Sequence, residues 1–264
     1  MKIATWNVNS VKARLEPALA WLKAANPDTV CLQEIKCTDE NFPAETFAAL
    51  GYNCAVHGQK SYNGVAILSK RPIEDVTPRL PVGEGGGDDD DHARYLEAVV
   101  TGERGSLRVA SIYAPNGNPI GTEKFTYKLA WLDRLKRHAG RLLALEEPVA
   151  LMGDYNIIPE DKDVHDPKLW RGDALFQPES RAALRRIEHL GYTDAFRARH
   201  SEAGHYTFWD YQAGAWRRNN GIRIDHILLS PQAADRLKSC DIDKYVRAGD
   251  KPSDHVPVCC ELDI

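Results

Sequence analysis

Asp154 and Asn156, in Gly153-Asp154-Tyr155-Asn156, stand two apart, so in an extended chain they project to the same side. They follow Val149-Ala150-Leu151-Met152, the pattern of a buried strand that ends in polar groups. Far downstream, Ser253-Asp254-His255 sets a carboxylate beside an imidazole at the opening of a second apolar run, Val256-Pro257-Val258-Cys259-Cys260. An amide, carboxylates and an imidazole at strand ends suit a hard metal ion and the phosphate that it polarises. Strand ends are also where α/β proteins gather their sites.

Two further segments add to this set. Lys2-Ile3-Ala4-Thr5-Trp6-Asn7-Val8-Asn9 reads as a strand with Asn7 and Asn9 on one side, and Thr29-Val30-Cys31-Leu32-Gln33-Glu34 as an apolar strand ending in Glu34. The succession WNVNS from Trp6, LQEIK from Leu32, YAPN from Tyr113, GDYN from Gly153, RIDH from Arg223 and SDH from Ser253 closely resembles the exonuclease III family of abasic-site endonucleases. That family lies within the wider group of endonucleases, exonucleases and phosphatases related to deoxyribonuclease I. One such motif is weak evidence; six in the same order, from Met1 to Ile264, are strong. The resemblance implies a four-layer α/β sandwich, two packed mixed β-sheets flanked by helices, formed by residues 1–264 as one domain. It implies a DNA repair nuclease dependent on Mg2+, with Mn2+ as a substitute. The activities implied are a 3′→5′ exonuclease on double-stranded DNA, an abasic-site endonuclease and a 3′-end-cleaning phosphodiesterase or phosphatase. The partner is double-stranded DNA, especially abasic sites and 3′ ends, met by a monomer.

The same resemblance implies roles for individual residues. Glu34 is the prime metal ligand, and Asn7, Asp154, Asn156, Asp254 and His255 complete the shell, directly or through water. Asp154 orients or deprotonates the attacking water, and Asn156 holds that water or a phosphate oxygen. His255 is either the general base or a protonated group that binds a non-bridging phosphate oxygen. Asp225 pairs with His255 and fixes its tautomer or raises its pKa. Tyr113 contacts phosphate or the leaving group. Asn9, Lys36, Arg94, Asn116, Phe208, Trp209, Ile222 and Arg223 face substrate. Strand alternation points Phe208 and Trp209 into different surroundings: if Phe208 packs inward, Trp209 is left at the mouth to meet DNA, and if Trp209 is the core residue the pocket falls to Phe208 and Ile222. His226 matches no family function and reads as structural. The competing readings are a phosphatase or lipid phosphodiesterase on the same metal site, and a DNA-binding relative that has lost catalysis. No head-group motif supports the second enzyme, and the intact Glu34, Asp154 and His255 oppose the inactive relative.

The elements around these motifs interleave strand and helix, which favours a layered α/β fold. A helix over about 11–25 carries Leu15, Ala18, Leu19 and Leu22 as one stripe and stops at Asn26-Pro27. Strands are expected at 53–57, 64–68, 96–100 and 107–113, with a hairpin turn at 102–105. A long helix spans about 123–145, a further helix opens at Pro178 and ends at Gly191, and strands at 224–229, 242–246 and 256–262 close the chain. A hydrophobic content of 43% over 264 residues allows a substantial core. No run approaches the length of a membrane span, and Met1-Lys2-Ile3 leads straight into a strand pattern, which reads as a cytoplasmic chain without a signal peptide. The six cysteines show no paired spacing and read as free thiols. A net charge of −4 argues mildly against nucleic acid, but much of the acidity sits in one Gly-rich loop, 83–91. Basic residues cluster elsewhere, at Lys12 and Arg14, Arg134 to Arg137, Arg185 and Arg186, and Arg217 to Arg223. The acidic loop reads as a mobile, solvated segment.

Overall fold

A computed structural model describes residues 1–82 and 90–264. Its strands are β1 (Lys2–Asn7), β2 (Thr29–Gln33), β3 (Asn53–His57), β4 (Val65–Ser69), β5 (Ile73–Pro78), β6 (Tyr95–Thr101), β7 (Ser106–Tyr113), β8 (Val149–Asp154), β9 (Thr193–Asp194), β10 (Asp225–Leu229), β11 (Leu237–Ile242) and β12 (Val258–Leu262). Its helices are α1 (Leu15–Ala25), α2 (Ala44–Ala48), α3 (Glu123–Leu143), α4 (Pro167–Trp170), α5 (Pro178–Glu188), α6 (Ala215–Arg218) and α7 (Pro231–Ala234). They build two six-stranded sheets, ordered β11-β12-β1-β2-β4-β3 and β5-β6-β7-β8-β10-β9. Each sheet is mixed: β1–β2 and β7–β8 are parallel and the remaining pairs antiparallel.

Three apolar layers follow from which face each strand residue takes. Ile3, Cys31, Ile67, Leu96, Val109, Met152, Ile227 and Cys260 fill the space between the sheets. Their odd-even neighbours Ala4, Trp6, Val30, Leu32 and Cys259 pack outward against α1 and the segments around it. On the other side, Ala110, Ile112, Leu151 and Leu228 pack against Trp131, Leu132 and Leu135 of α3 and Leu184 and Ile187 of α5. The helix–sheet–sheet–helix order is the four-layer sandwich expected from the sequence. Strands apolar on both faces are what such a central position requires. Cys259 and Cys260 do face opposite layers, and all six cysteines are free thiols.

Several boundaries differ from expectation. The first helix begins at Leu15, because residues 11–14 form a turn with Arg14 N–H bonded to Ser10 O. The strand expected at 242–246 is instead β11, ending at Ile242, followed by a 3₁₀ turn at Lys244–Ala248. β5 escaped notice because it is a largely exposed edge strand with a bulge between Glu74 and Thr77. Most of the acidic segment 83–91 lies outside the described residues. Asp90, at its end, is not a free solvated group: it accepts from Tyr127 and Arg134 of α3 at 2.7 Å each.

Candidate active site

The polar groups singled out above collect where β1, β2, β7, β8 and β10 end. Register sets the rows. Across the second sheet, Asp154 of β8 lies beside Tyr113 of β7 and beside Asp225 of β10. Across the first, Asn7 of β1 lies beside Gln33 of β2, one residue short of Glu34. Gly153 makes the close strand pairing before Asp154 possible: a Cβ there would fall 1.9 Å from the Ile112 carbonyl oxygen. Beyond the strand ends the backbone turns sharply. Asn9, Ser10, Glu34, Lys36 and Asn156 all have positive φ, between 45° and 84°. Left-handed non-glycine residues cost about 1–2 kcal/mol each, so these turns persist because the packing and hydrogen bonds around them hold them.

The side chains meet across the two sheets. Asn7 Nδ2 donates to Glu34 Oε1 at 2.9 Å and to Asp154 Oδ2 at 3.0 Å, while Asn7 Oδ1 accepts from Asn9 N–H. Asp154 Oδ1 accepts from Asn156 N–H at 2.9 Å. His255 Nε2 stands 3.8 Å from Asp154 Oδ2, and its Nδ1 stands 2.9 Å from Asp225 Oδ2. Asn156 Nδ2 donates to Ala114 O, and Asn116 Nδ2 donates to Asn156 Oδ1. Glu34, Asp154 and His255 each bring one ligand-competent atom within 4.8 Å of the other two. Asp254 stands one step out, accepting from Asn9 Nδ2 at 3.0 Å. Lys36 Nζ pairs with Glu34 Oε2 at 2.9 Å and donates to Asn9 Oδ1.

Electrostatics separate the roles these groups can take. Burial raises Glu34, but the Asn7 hydrogen bond and Lys36 outweigh it, so its carboxyl stays below the ordinary value and ionised. Burial raises Asp154 above its usual range, with His255 opposing and Asp225 and Glu34 adding to the shift. Burial alone lowers a histidine, yet the Asp225 and Asp154 carboxylates push His255 up to about 10, so it is held as a cation. Burial, with Glu34 and Asp154 nearby, raises the Tyr113 hydroxyl far above its usual value and keeps it a donor. Two carboxylates beside an amide-rich rim fit an oxygen-ligated divalent ion, and a protonated imidazole next to them fits an anionic oxygen.

Two substrate-facing expectations are overturned. Trp209 is fully buried, packs edge-on against Trp216 with centroids 5.0 Å apart and donates its Nε1–H to Asn219 Oδ1. A large indole with an internal hydrogen-bond partner gains more from the core than from the mouth. Phe208 takes the outer position: it is half-buried, bridges Ile222 and His255 in the backbone, and sets its ring 4.9 Å from the His255 ring. Arg223 is 1% exposed, with Nε 2.6 Å from Asp163 Oδ1 and Nη1 2.8 Å from Asp194 Oδ2. Its guanidinium is spent inside the protein and cannot reach DNA. Ile222 is buried behind Phe208, in a cluster with Val164, Leu175 and Ile224 that half-buried Trp170 also borders. His226 is buried, lowered to about 4 by burial and Arg223, and bonded to Ile157 O, as its structural reading requires. Arg94 lies with its guanidinium carbon 4.9 Å from the Tyr113 ring centre.

Two neighbours of the site were missed in the sequence. Tyr211, 49% exposed, receives Arg14 Nη2 at 2.9 Å and Asn9 Nδ2 at 3.5 Å through its hydroxyl. Lys128 of α3 is wholly buried and donates its ammonium to the carbonyls of Asn116 and Asn156. Burial lowers it to about 7. Its place in register with Trp131, Leu132 and Leu135, on the apolar face of α3, is the signal in the sequence that could have found it.

The model of the endonuclease/exonuclease/phosphatase family matches residues 4–255. An exodeoxyribonuclease III of Haemophilus influenzae is 35% identical, covering 99% of this chain and 100% of its own length. The structure of an AP endonuclease from Archaeoglobus fulgidus superposes with a TM-score of 0.92 at 37% identity, and that of a Neisseria 3′ phosphatase bound to a product DNA hairpin with 0.94 at 38%; each covers 100% of both chains. Among the described residues, no helix is long and apolar enough to cross a membrane.

Proposed function

The chain belongs to the endonuclease/exonuclease/phosphatase family, and on that footing we propose that it is a magnesium-dependent DNA repair nuclease acting as one domain and one subunit in the cytoplasm. Its substrates are abasic sites and 3′ ends of double-stranded DNA. The observation that carries the reading is the convergence of Glu34, Asp154 and His255, from both sheets, beside the Phe208–Ile222 apolar wall. The names of the relatives support the same chemistry: an exodeoxyribonuclease, an AP endonuclease and a 3′ phosphatase with DNA.

Glu34 and Asp154 are the carboxylates that would hold Mg2+, with Mn2+ as a substitute, and Asn7 aligns them through its amide. When bound, the ion polarises the scissile phosphate and lowers the pKa of coordinated water. Asp154 orients the attacking water or takes its proton, and Asn156 fixes the Asp154 carboxylate by its N–H. His255 is the phosphate-binding cation rather than the base, because a protonated ring has no lone pair for a metal or a proton. Asp225 keeps it protonated. Tyr113 donates its hydroxyl to a phosphate or leaving oxygen. Asp254, Asn9 and Lys36 form a charged rim, and Arg94, Asn116 and Tyr211 border it. Phe208 offers a flat apolar face to a sugar that lacks its base; such a slot excludes a normal nucleotide.

The deciding assay uses a labelled duplex with a central abasic analogue beside an intact recessed duplex. Incision and 3′ resection, both abolished by chelator and restored by Mg2+ or Mn2+, are expected. Full turnover in excess chelator, or cleavage of a lipid phosphodiester but not DNA, overturns the reading.

A further inference from the structure

Away from the strand ends, residues 200–205 carry a second set of metal-competent side chains. His200, Glu202 and His205 each bring one ligand atom within 4.8 Å of the other two. None of them takes part in the site described above. The loop that holds them is fixed before any ion arrives. Arg197 Nη1 donates to the carbonyl oxygens of His200 and Glu202, at 3.1 and 2.7 Å. Gly204, at φ +87°, supplies the turn that brings His205 back towards His200. Both imidazoles rest on Phe196, His200 stacked at 4.5 Å and His205 edge-on at 5.3 Å between ring centres.

Protonation also suits ligation. His200 Nε2 lies 2.7 Å from the Cys240 carbonyl oxygen. A carbonyl only accepts, so this nitrogen is the donor, and in the neutral tautomer Nδ1 is the atom left to ligate. A ligating histidine is commonly oriented in this way, by donating its other ring N–H to a backbone carbonyl. The positive charge of Arg197 is met by Asp163, and Asp241 places a carboxylate oxygen 3.5 Å from His200 Nε2.

We propose that His200, Glu202 and His205 form a second cation site, selective for a divalent transition metal of the zinc class. Two imidazoles and one carboxylate are softer than the oxygen set of Glu34 and Asp154, and such N/O sites favour zinc or copper over magnesium. Three protein ligands leave a fourth position to water.

Zinc titration of the full chain against a chromophoric chelator, in saturating Mg2+, tests the site. Three forms are compared: the parent, Glu34→Gln, and the double variant His200→Ala with His205→Ala. One tight equivalent of Zn2+ should persist in Glu34→Gln. It should weaken by at least ~100-fold in the double variant, since even the loss of an orienting partner costs about 10–100-fold. Unchanged Mg2+-dependent nuclease turnover in the double variant confirms that it is folded; should it fail to fold, the exposed Glu202→Gln replaces it, with the same weakening expected. Equal zinc binding by parent and histidine variant overturns the site. So does loss of the equivalent in Glu34→Gln, which assigns the ion to the strand ends, and so does absence of tight binding in the parent.

Discussion

At the scale of single residues, position within the fold overrides chemical type. Phe208 and Trp209 are adjacent aromatics, yet one faces the His255 ring and the other is sealed in the core. Phe208→Ala should therefore slow abasic-site incision ~10-fold or more, in line with the ~1–3 kcal/mol that aromatic contacts to nucleic acid contribute, with little loss of stability. Trp209→Ala should instead lower unfolding free energy by ~3–5 kcal/mol; urea unfolding beside a single-turnover assay separates the two. Asp154→Asn and His255→Asn should each cut turnover at least ~10²-fold while DNA still binds. The double variant should lose less than the product, since both groups serve one transition state; strictly multiplicative losses would show independent action. The His255–Asp225 pair also has a pH signature. The folded pKa, about 10, is raised above the ordinary 6.5, so its stabilisation is fully present below about pH 6.5 and is lost as pH rises towards 10. In chelator, the stability gap between the parent and Asp225→Asn should narrow between pH 7 and pH 10. A gap that widens over that range contradicts a protonated His255.

At the scale of elements, the site depends on how strand ends are tied to the layer behind them. Lys128 of α3 is the tie for the second sheet, because its ammonium joins the carbonyls of Asn116 and Asn156. Lys128→Met leaves the buried Asn156 carbonyl without that donor, at about 1–3 kcal/mol for an unsatisfied buried group. It should lower kcat at least ~10-fold with KM for DNA little changed, since small misplacements at a reacting centre are costly. An unaltered kcat would reduce Lys128 to packing. Gly153 is a tighter constraint on the same strand. The space for its Cβ is already occupied by the Ile112 carbonyl, and that carbonyl belongs to the backbone of β7. Gly153→Ala should therefore displace Asp154 and abolish activity together with a cooperative native fold, read by turnover and thermal melting.

At the scale of the whole molecule, the active site is the seam where two sheets meet. Glu34 follows β2 of one sheet and Asp154 ends β8 of the other, joined by Asn7. An ion bound to both carboxylates binds the folded state alone, and at a hundred times its Kd it should add ~2.7 kcal/mol to stability. The melting temperature of the parent should rise with Mg2+, and that of Glu34→Gln should not; equal responses would place the ion elsewhere. Arg223 shows the same global logic in the interior. It joins Asp163, Asp194 and His226, and while Asp163 keeps Arg197, Arg223→Met takes the guanidinium from buried Asp194, a loss of the order of 3–5 kcal/mol.

The sequence by itself determined a layered α/β fold and marked the candidate site groups; pattern alone left a doubly wound single sheet open, and two packed sheets came only from the family resemblance. Apolar runs such as Val149–Met152 fixed which strands are central, because only strands covered on both faces can be apolar throughout. Polar residues at the ends of those runs marked Asn7, Glu34, Asp154 and His255, because a polar group that closes a buried strand needs a reason to be there. The tertiary structure decided what local periodicity cannot carry. Alternation along 206–211 predicts that Phe208 and Trp209 face different ways, but not which way is inward; that followed from Trp216 and Asn219 standing ready to receive the indole. A basic cluster in the sequence does not say that Arg223 is neutralised by carboxylates from remote segments, nor does the apolar stripe of α3 say that Lys128 meets the carbonyls of Asn116 and Asn156. Such partners lie far apart along the chain, and only the folding of both sheets onto each other brings them within bonding distance.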